Sequence, residues 1–138
     1  MAKTKARIGY GTLIKYGDGA SPQNFTKLAE VRNIDGFGVQ RNEVEATHME
    51  SPGEAIERIG SLKDGQVITI TCNMTVDNVD ILKGFVDDGD VIDWQLAFAS
   101  PLPTYAFSAV PLTWKITGMT PSGLLEVVFG SRLTGDIV

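Results

Sequence analysis

The sequence has one cysteine, one histidine and no long apolar run, and each scarcity excludes a class of protein. With Cys72 alone, neither an intrachain disulfide nor a cysteine-rich zinc site can form. No uncharged apolar stretch approaches the ~18 residues of a membrane-spanning helix, so membrane insertion is not expected. The opening MAKTKARIGYG has basic residues without an apolar core behind them, which does not match a secretory signal. The protein is therefore expected to be made and kept in a cytoplasm. His48 and Glu50 offer two ligands on a short segment, without the further ligands or the orienting shell of a metal centre. Ser51 follows His48 closely, but no Gly-x-Ser-x-Gly elbow accompanies it. GYGTLI lacks the third glycine of a dinucleotide fingerprint, and no lysine follows a glycine loop as in a P-loop. DDGD at 87–90 begins like a calcium loop, yet Ile92 and Trp94 interrupt the oxygen ligands and no glutamate closes it. No catalysis, cofactor or metal is expected.

Basic charge is also scarce, and it is unevenly spread. Lys3, Lys5, Arg7, Lys15, Lys27 and Arg32 outweigh Asp18 and Glu30 in residues 1–34, whereas residues 35–93 hold thirteen acids against Arg41, Arg58, Lys63 and Lys83. The net charge is −5. A DNA-gripping protein needs lysines and arginines gathered along a groove, and this distribution supplies none. A basic start and an acidic middle instead fit a solvated surface or complementarity between copies.

What the chain does contain is alternation. In QVITITCNMT, Ile68, Ile70, Cys72 and Met74 alternate with polar residues, as a half-buried strand requires. VIDWQLAFA repeats the pattern with Ile92, Trp94, Leu96 and Phe98. LTWKITGM repeats it with Trp114 and Ile116, and GLLEVVFGSRL with Leu125, Val127 and Phe129. IGYGTLIKY, FTKLAEVRNI and NEVEATHM are weaker strands, separated by the turn formers GDGASPQN and DGFG. Cys72 stands on the apolar side of its strand and is expected to pack as a small hydrophobe. About seven strands result, in one domain spanning 1–138.

One helix interrupts them. VDNVDILKGFVDDGD has Asp77 as N-cap, Val79, Leu82, Phe85 and Val86 at helical spacing, and Gly89 as its stop. A β-sandwich or rolled barrel with one flanking helix is the expected fold.

Residues 48–66 do not fit this alternation. Ser51-Pro52-Gly53-Glu54 matches a capping box, with Ser51 as N-cap, Pro52 at the first helical position and Glu54 reaching back to the Ser51 amide. Ala55, Ile56 and Ile59 would share one face of a two-turn helix ended by Gly60, with Leu62 beyond. Such a helix is too short to persist alone. Burial of its isoleucines and Leu62, at about 1.5–3 kcal/mol each, would order it against a partner surface. That surface belongs either to its own domain or to another copy.

In order and spacing, these segments resemble the tail tube (major tail) proteins of lambda-like, non-contractile long-tailed bacteriophages and of related particles such as gene transfer agents. The resemblance runs through GYGTLIKYG, FTKLAEVRNIDGFGVQRNEVEATHMES, ERIGSLKDGQVITITCNMT, the helix and VPLTWKITGM. Ala46 stands where the family often has aspartate or valine, and no C-terminal immunoglobulin-like domain is expected. The resemblance implies self-assembly into hexameric rings stacked as a tube in the virion tail. It also implies partnership with a tape measure protein, a tail terminator and tail tip or baseplate proteins, and a lumen that passes DNA without specific binding. It places the inter-ring contact on the long loop 49–65, at Met49, Glu50, Pro52, Ala55, Ile56, Arg58, Ile59, Leu62 and Lys63. Lys3, Lys5 and Arg7 of an arm over 1–7, with Leu133 and Ile137, are expected to pack between neighbours. Two alternatives compete: a secretion-system tube protein, and a monomeric ligand-binding sandwich with Tyr105 and Phe107 of SPLPTYAFSA as an aromatic platform.

Overall fold

A computed structural model of the chain describes residues 9–19, 22–99 and 102–138. The strands are β1 (Leu13–Gly17), β2 (Phe25–Lys27), β3 (Val31–Asp35), β4 (Val39–Glu45), β5 (Arg58–Gly65), β6 (Val67–Asn73), β7 (Ile92–Ala97), β8 (Thr104–Thr117) and β9 (Glu126–Thr134), with one helix, α1 (Val76–Asp88), between β6 and β7. Seven strands form one antiparallel sheet in the order β2-β1-β7-β8-β9-β6-β3, while β4 and β5 pair only with each other. The mainly β expectation with one flanking helix therefore stands, with nine strands among the described residues rather than about seven. No helix among the described residues is long and apolar enough to cross a membrane.

Register explains how the sheet encloses a core. Tyr16, Trp94 and Phe107 stand opposite one another across β1, β7 and β8. Ile34, Ile70, Phe129 and Trp114 do the same across β3, β6, β9 and β8. Directly opposed residues share a face, so both rows point inward. Ile68, Ile70, Cys72, Trp94, Leu96, Val127 and Phe129 are all at most 2% exposed. Met74 and Leu125 depart from the alternation at 37% and 43% exposed, because β6 ends at Asn73 and β9 begins at Glu126. Phe37, just past β3, reaches Tyr105 and Phe107 with ring centroids 5.7 and 5.1 Å away, which brings the β3 edge around toward β8.

The bend in β8 has a local cause. Pro111 pairs with Ser131 and Thr113 with Gly130, leaving Leu112 as an inserted residue at 45% exposure. Proline cannot donate to a ladder, and a bulge beside it lets the strand continue while turning. Pro111 also lies beyond the last β7 pairing at Ala109, so no neighbour on that side loses a bond.

Helix α1 closes the open face of the roll. Thr75, not Asp77, is the N-cap: its Oγ1 accepts from the Asn78 amide at 3.2 Å. Asp77 sits in the first turn, where a negative charge favours the helix dipole. Gly89 ends the helix in the left-handed region at φ 72°, as expected from DDGD. Leu82 is fully buried, and Phe85 meets Tyr16, Trp94 and Phe129 edge-on at 5.5, 5.9 and 6.4 Å. Asn78 is 2% exposed, and its Nδ2 donates to the carbonyls of Ala29 and Asn73, tying the helix to the segments after β2 and β6. Cys72 is buried as expected; burial, reinforced by the charges of Glu126 and Glu30, pushes its thiol up to about 11. A thiol held neutral at ordinary pH is a packing group rather than a nucleophile.

Candidate functional site: a projecting hairpin

The β4–β5 ribbon leaves the main sheet at one end. Only Gln66 separates β5 from β6. The base is pinned there: Arg132 donates to the Gly65 carbonyl at 3.0 Å, Leu133 donates from its amide to the Gln66 carbonyl, and Lys63 meets Asp136 at 3.3 Å. Gly36 makes the preceding turn at φ 81°, where a Cβ would collide with the Val67 carbonyl. Beyond this base every residue of β4 is exposed, as are all of β5 except Ser61 and Gly65.

The tip differs from the expected helix. A single 3-10 turn, Pro52–Glu54, replaces it, and Ser51 makes no cap bond to that turn. Gly53 and Glu54 both have positive φ, 66° and 57°, so a right-handed helix cannot continue. The capping groups are engaged elsewhere. Ser51 Oγ accepts from the His48 amide at 2.9 Å and donates to Glu57 Oε2 at 3.0 Å, while the Ser51 amide donates to the His48 carbonyl. The Glu57 amide donates to Thr47 Oγ1 at 2.9 Å, and its carboxylate also faces His48 Nε2 at 3.4 Å. A web centred on Glu57 therefore wins over two turns of helix, whose nucleation few hydrogen bonds would offset. The second half of the expected loop, from Arg58, is strand β5. Arg58 Nε faces Glu43 Oε1 at 3.6 Å across the ribbon.

Apolar side chains run along this projection without cover. Met49 is fully exposed, Leu62 80%, and Ile56 and Ile59 58% each. Ile59 pairs with Val44, itself 49% exposed. Ala55 and Pro52 are exposed at the tip, Glu50 and Arg58 flank it, and Lys63 stands near the base. Ala55, Ile56 and Ile59 do not form one helical face, since Ala55 is extended and Ile59 lies in β5. The isoleucines nevertheless find no shelter under the subunit's own sheet.

The remaining expected contact residues are placed otherwise. Leu133 is 4% exposed and part of the subunit's own core, and Ile137 packs against that core. Lys3, Lys5 and Arg7 lie outside the described residues. The aromatic platform of the ligand-binding alternative is not formed: Phe107 is 4% exposed, and Tyr105 packs on Phe37 and Phe98. No group of three or more metal-ligating side chains occurs among the described residues. A depression of about 810 Å3 lies along the open seam of the roll, between the segment leading into β1 and strand β3.

Comparison with known proteins gives a consistent result. No family model matches this sequence, and no curated protein aligns with it. Solved structures do. The tail of an empty gene transfer agent particle, refined with six-fold helical symmetry, matches at TM-score 0.77 and 17% identity over 96% of this chain and 98% of that one. A chain of the anti-feeding prophage baseplate matches at TM-score 0.76 and 10% identity, over 99% and 96%. The tail tube of phage SPP1 matches at TM-score 0.68 and 10% identity, over 93% and 76%. The β-roll, its flanking helix and its projecting hairpin together are the fold of phage tail tube proteins.

Proposed function

We propose that this chain is the structural subunit of a phage or phage-like tail tube, polymerising as stacked hexameric rings into a hollow conduit for DNA. The observation that carries this reading is the hairpin. A monomer gains nothing from a charged ribbon that displays Met49, Ile56, Ile59 and Leu62 to water, whereas a polymer buries them at every repeat. Strands β2 and β3 support it, since among the described residues each ends the main sheet with one edge unpaired. Joining such edges around a closed ring removes the hazard they pose to a lone subunit.

Inter-ring contact is assigned to Met49, Glu50, Pro52, Ala55, Ile56, Arg58, Ile59, Leu62 and Lys63. Packing between neighbours is assigned to residues 1–7, with Lys3, Lys5 and Arg7. The acid excess of residues 35–93 fits a conduit for DNA, because any phosphate contact made in the bore must be broken during passage. A tape measure protein, a tail terminator and tip proteins complete the partner set, and the reading assigns no catalysis.

Negative-stain images of the concentrated protein are expected to show rings and hollow tubes of uniform width with six-fold end views. Featureless particles at all concentrations would contradict the proposal. A likeness to a chain of the sheath-tube complex of an extracellular contractile injection system, at TM-score 0.68 and 11% identity, supports a second reading, the tube of a contractile injection machine. A sheath surrounding the tube in native particles would select it.

A further inference from the structure

The described residues carry a second exposed apolar cluster, and it lies at the other end of β6 from the hairpin. β6 and β9 run antiparallel, with Val67 opposite Arg132 at one end and Asn73 opposite Glu126 at the other. The hairpin is rooted at the first end. At the second stand Met74, Val76, Met119, Leu124 and Leu125, exposed by 37, 78, 73, 55 and 43%.

These residues form one surface. The Met74 amide donates to the Leu125 carbonyl at 3.0 Å, which joins the end of β6 to the start of β9. Gly118 lies so close to Leu124 that a Cβ would strike the Leu124 carbonyl, which holds Met119 beside it. No ionisable residue occurs between Thr117 and Glu126. Charge rings the patch: exposed Asp77 follows Val76, Glu30 accepts from Asn73 beside Met74, and Glu126 next to Leu125 faces Arg32 at 3.5 Å. An exposed apolar patch rimmed by charge at a strand end is a contact surface.

Head-to-tail polymers need two unlike patches on each subunit, placed so that joining one leaves the other free. A projecting apolar finger at one end of β6 and an apolar patch at the opposite end meet that requirement along a single strand axis. Building on the tube reading above, we propose that the surface formed by Met74, Val76, Met119, Leu124 and Leu125 is the socket for the β4–β5 hairpin of a second copy in the next ring. Ile56 and Ile59 enter the socket, and the flanking Glu50 and Arg58 remain at its wet rim.

Complementation between two defective subunits tests the assignment. Met119→Asp and Leu124→Asp damage the socket, and Ile56→Asp damages the finger. Each variant alone, shown to be folded by circular dichroism, is expected to lower tube yield by about tenfold or more, as even one modest interface loss does. Mixing a socket variant with the finger variant restores one sound finger-socket pair, so sedimentation and electron microscopy should show short stacks absent from either sample alone. Parental tube growth by both socket variants would overturn the proposal, as would a mixture with no species larger than its components. A parent protein that forms neither rings nor tubes would overturn the tube reading itself.

Discussion

Ile56→Asp is expected to give a subunit that folds like its parent and forms no tubes. Ile56 is 58% exposed at the hairpin tip and touches nothing that holds the β-roll together. Surface substitutions of this kind stay within about 0.5 kcal/mol, so the thermal midpoint should shift by no more than about 2 °C. In the proposed tube the same residue would enter an apolar contact. The variant forfeits roughly 1–2 kcal/mol of transfer free energy there and adds the several kcal/mol cost of desolvating an unpaired carboxylate. Repetition of the contact around each proposed ring multiplies the effect. Sedimentation at a concentration where the parent polymerises measures it; polymer formed at the parental rate, or loss of the subunit's own fold, would remove Ile56 from the interface.

Trp94→Ala should have the opposite signature, unfolding the subunit rather than blocking its assembly. Trp94 is 1% exposed and lies at the junction of sheet and helix, with ring centroids of Tyr16, Phe85 and Phe129 at 6.3, 5.9 and 5.9 Å. Deleting a large aromatic from such a site costs about 3–5 kcal/mol, and each lost aromatic pair adds about 0.5–1.5 kcal/mol. Domains of this size hold about 5–15 kcal/mol in total, so the variant is left marginal. Urea unfolding should show a large drop in midpoint. Loss of less than about 1 kcal/mol would mean that α1 is held to the sheet by other contacts.

The two substitutions separate what the sequence made legible from what it concealed. Buried strands were readable because one face is apolar: Ile68, Ile70 and Cys72 on β6, Trp94 and Leu96 on β7, and Val127 and Phe129 on β9 are all in the core. The helix was readable through Leu82 and Phe85, although its cap lies two residues earlier, at Thr75. β5 was not readable. RIGSLKDG pairs with β4 in a ribbon wetted on both faces, so no alternation marks it, and partners as distant as Arg41 and Lys63 set its register. The local signal over Ser51–Glu54 pointed to helix instead, and Glu57 overrode it by engaging Ser51 and Thr47. FTKLAEVRNI read as one strand but divides into β2 and β3, with Glu30 at φ 54° between them. Only the second half of β8, LTWKITGM, read as a strand; it extends back through Pro111 to Thr104, because the bulge beside the proline lets the ladder continue.

The function was legible for a related reason. Exposed isoleucines on a segment outside the core pattern were the anomaly, and they remain exposed although the segment's secondary structure differs from the expected one. Left uncovered by their own sheet, they fit the partner surface proposed above, whatever backbone carries them.

Limited trypsin digestion of free subunit and assembled tube, followed at Arg58 and Lys63, tests the central claim most directly. A two-stranded ribbon pinned only at its base opens at little cost, so both sites should be cut early in the unassembled Ile56→Asp subunit. In the parental tube they should resist for as long as the tube persists. Equal cleavage rates at these two residues in both samples would show that the hairpin is not sheltered by a neighbouring copy.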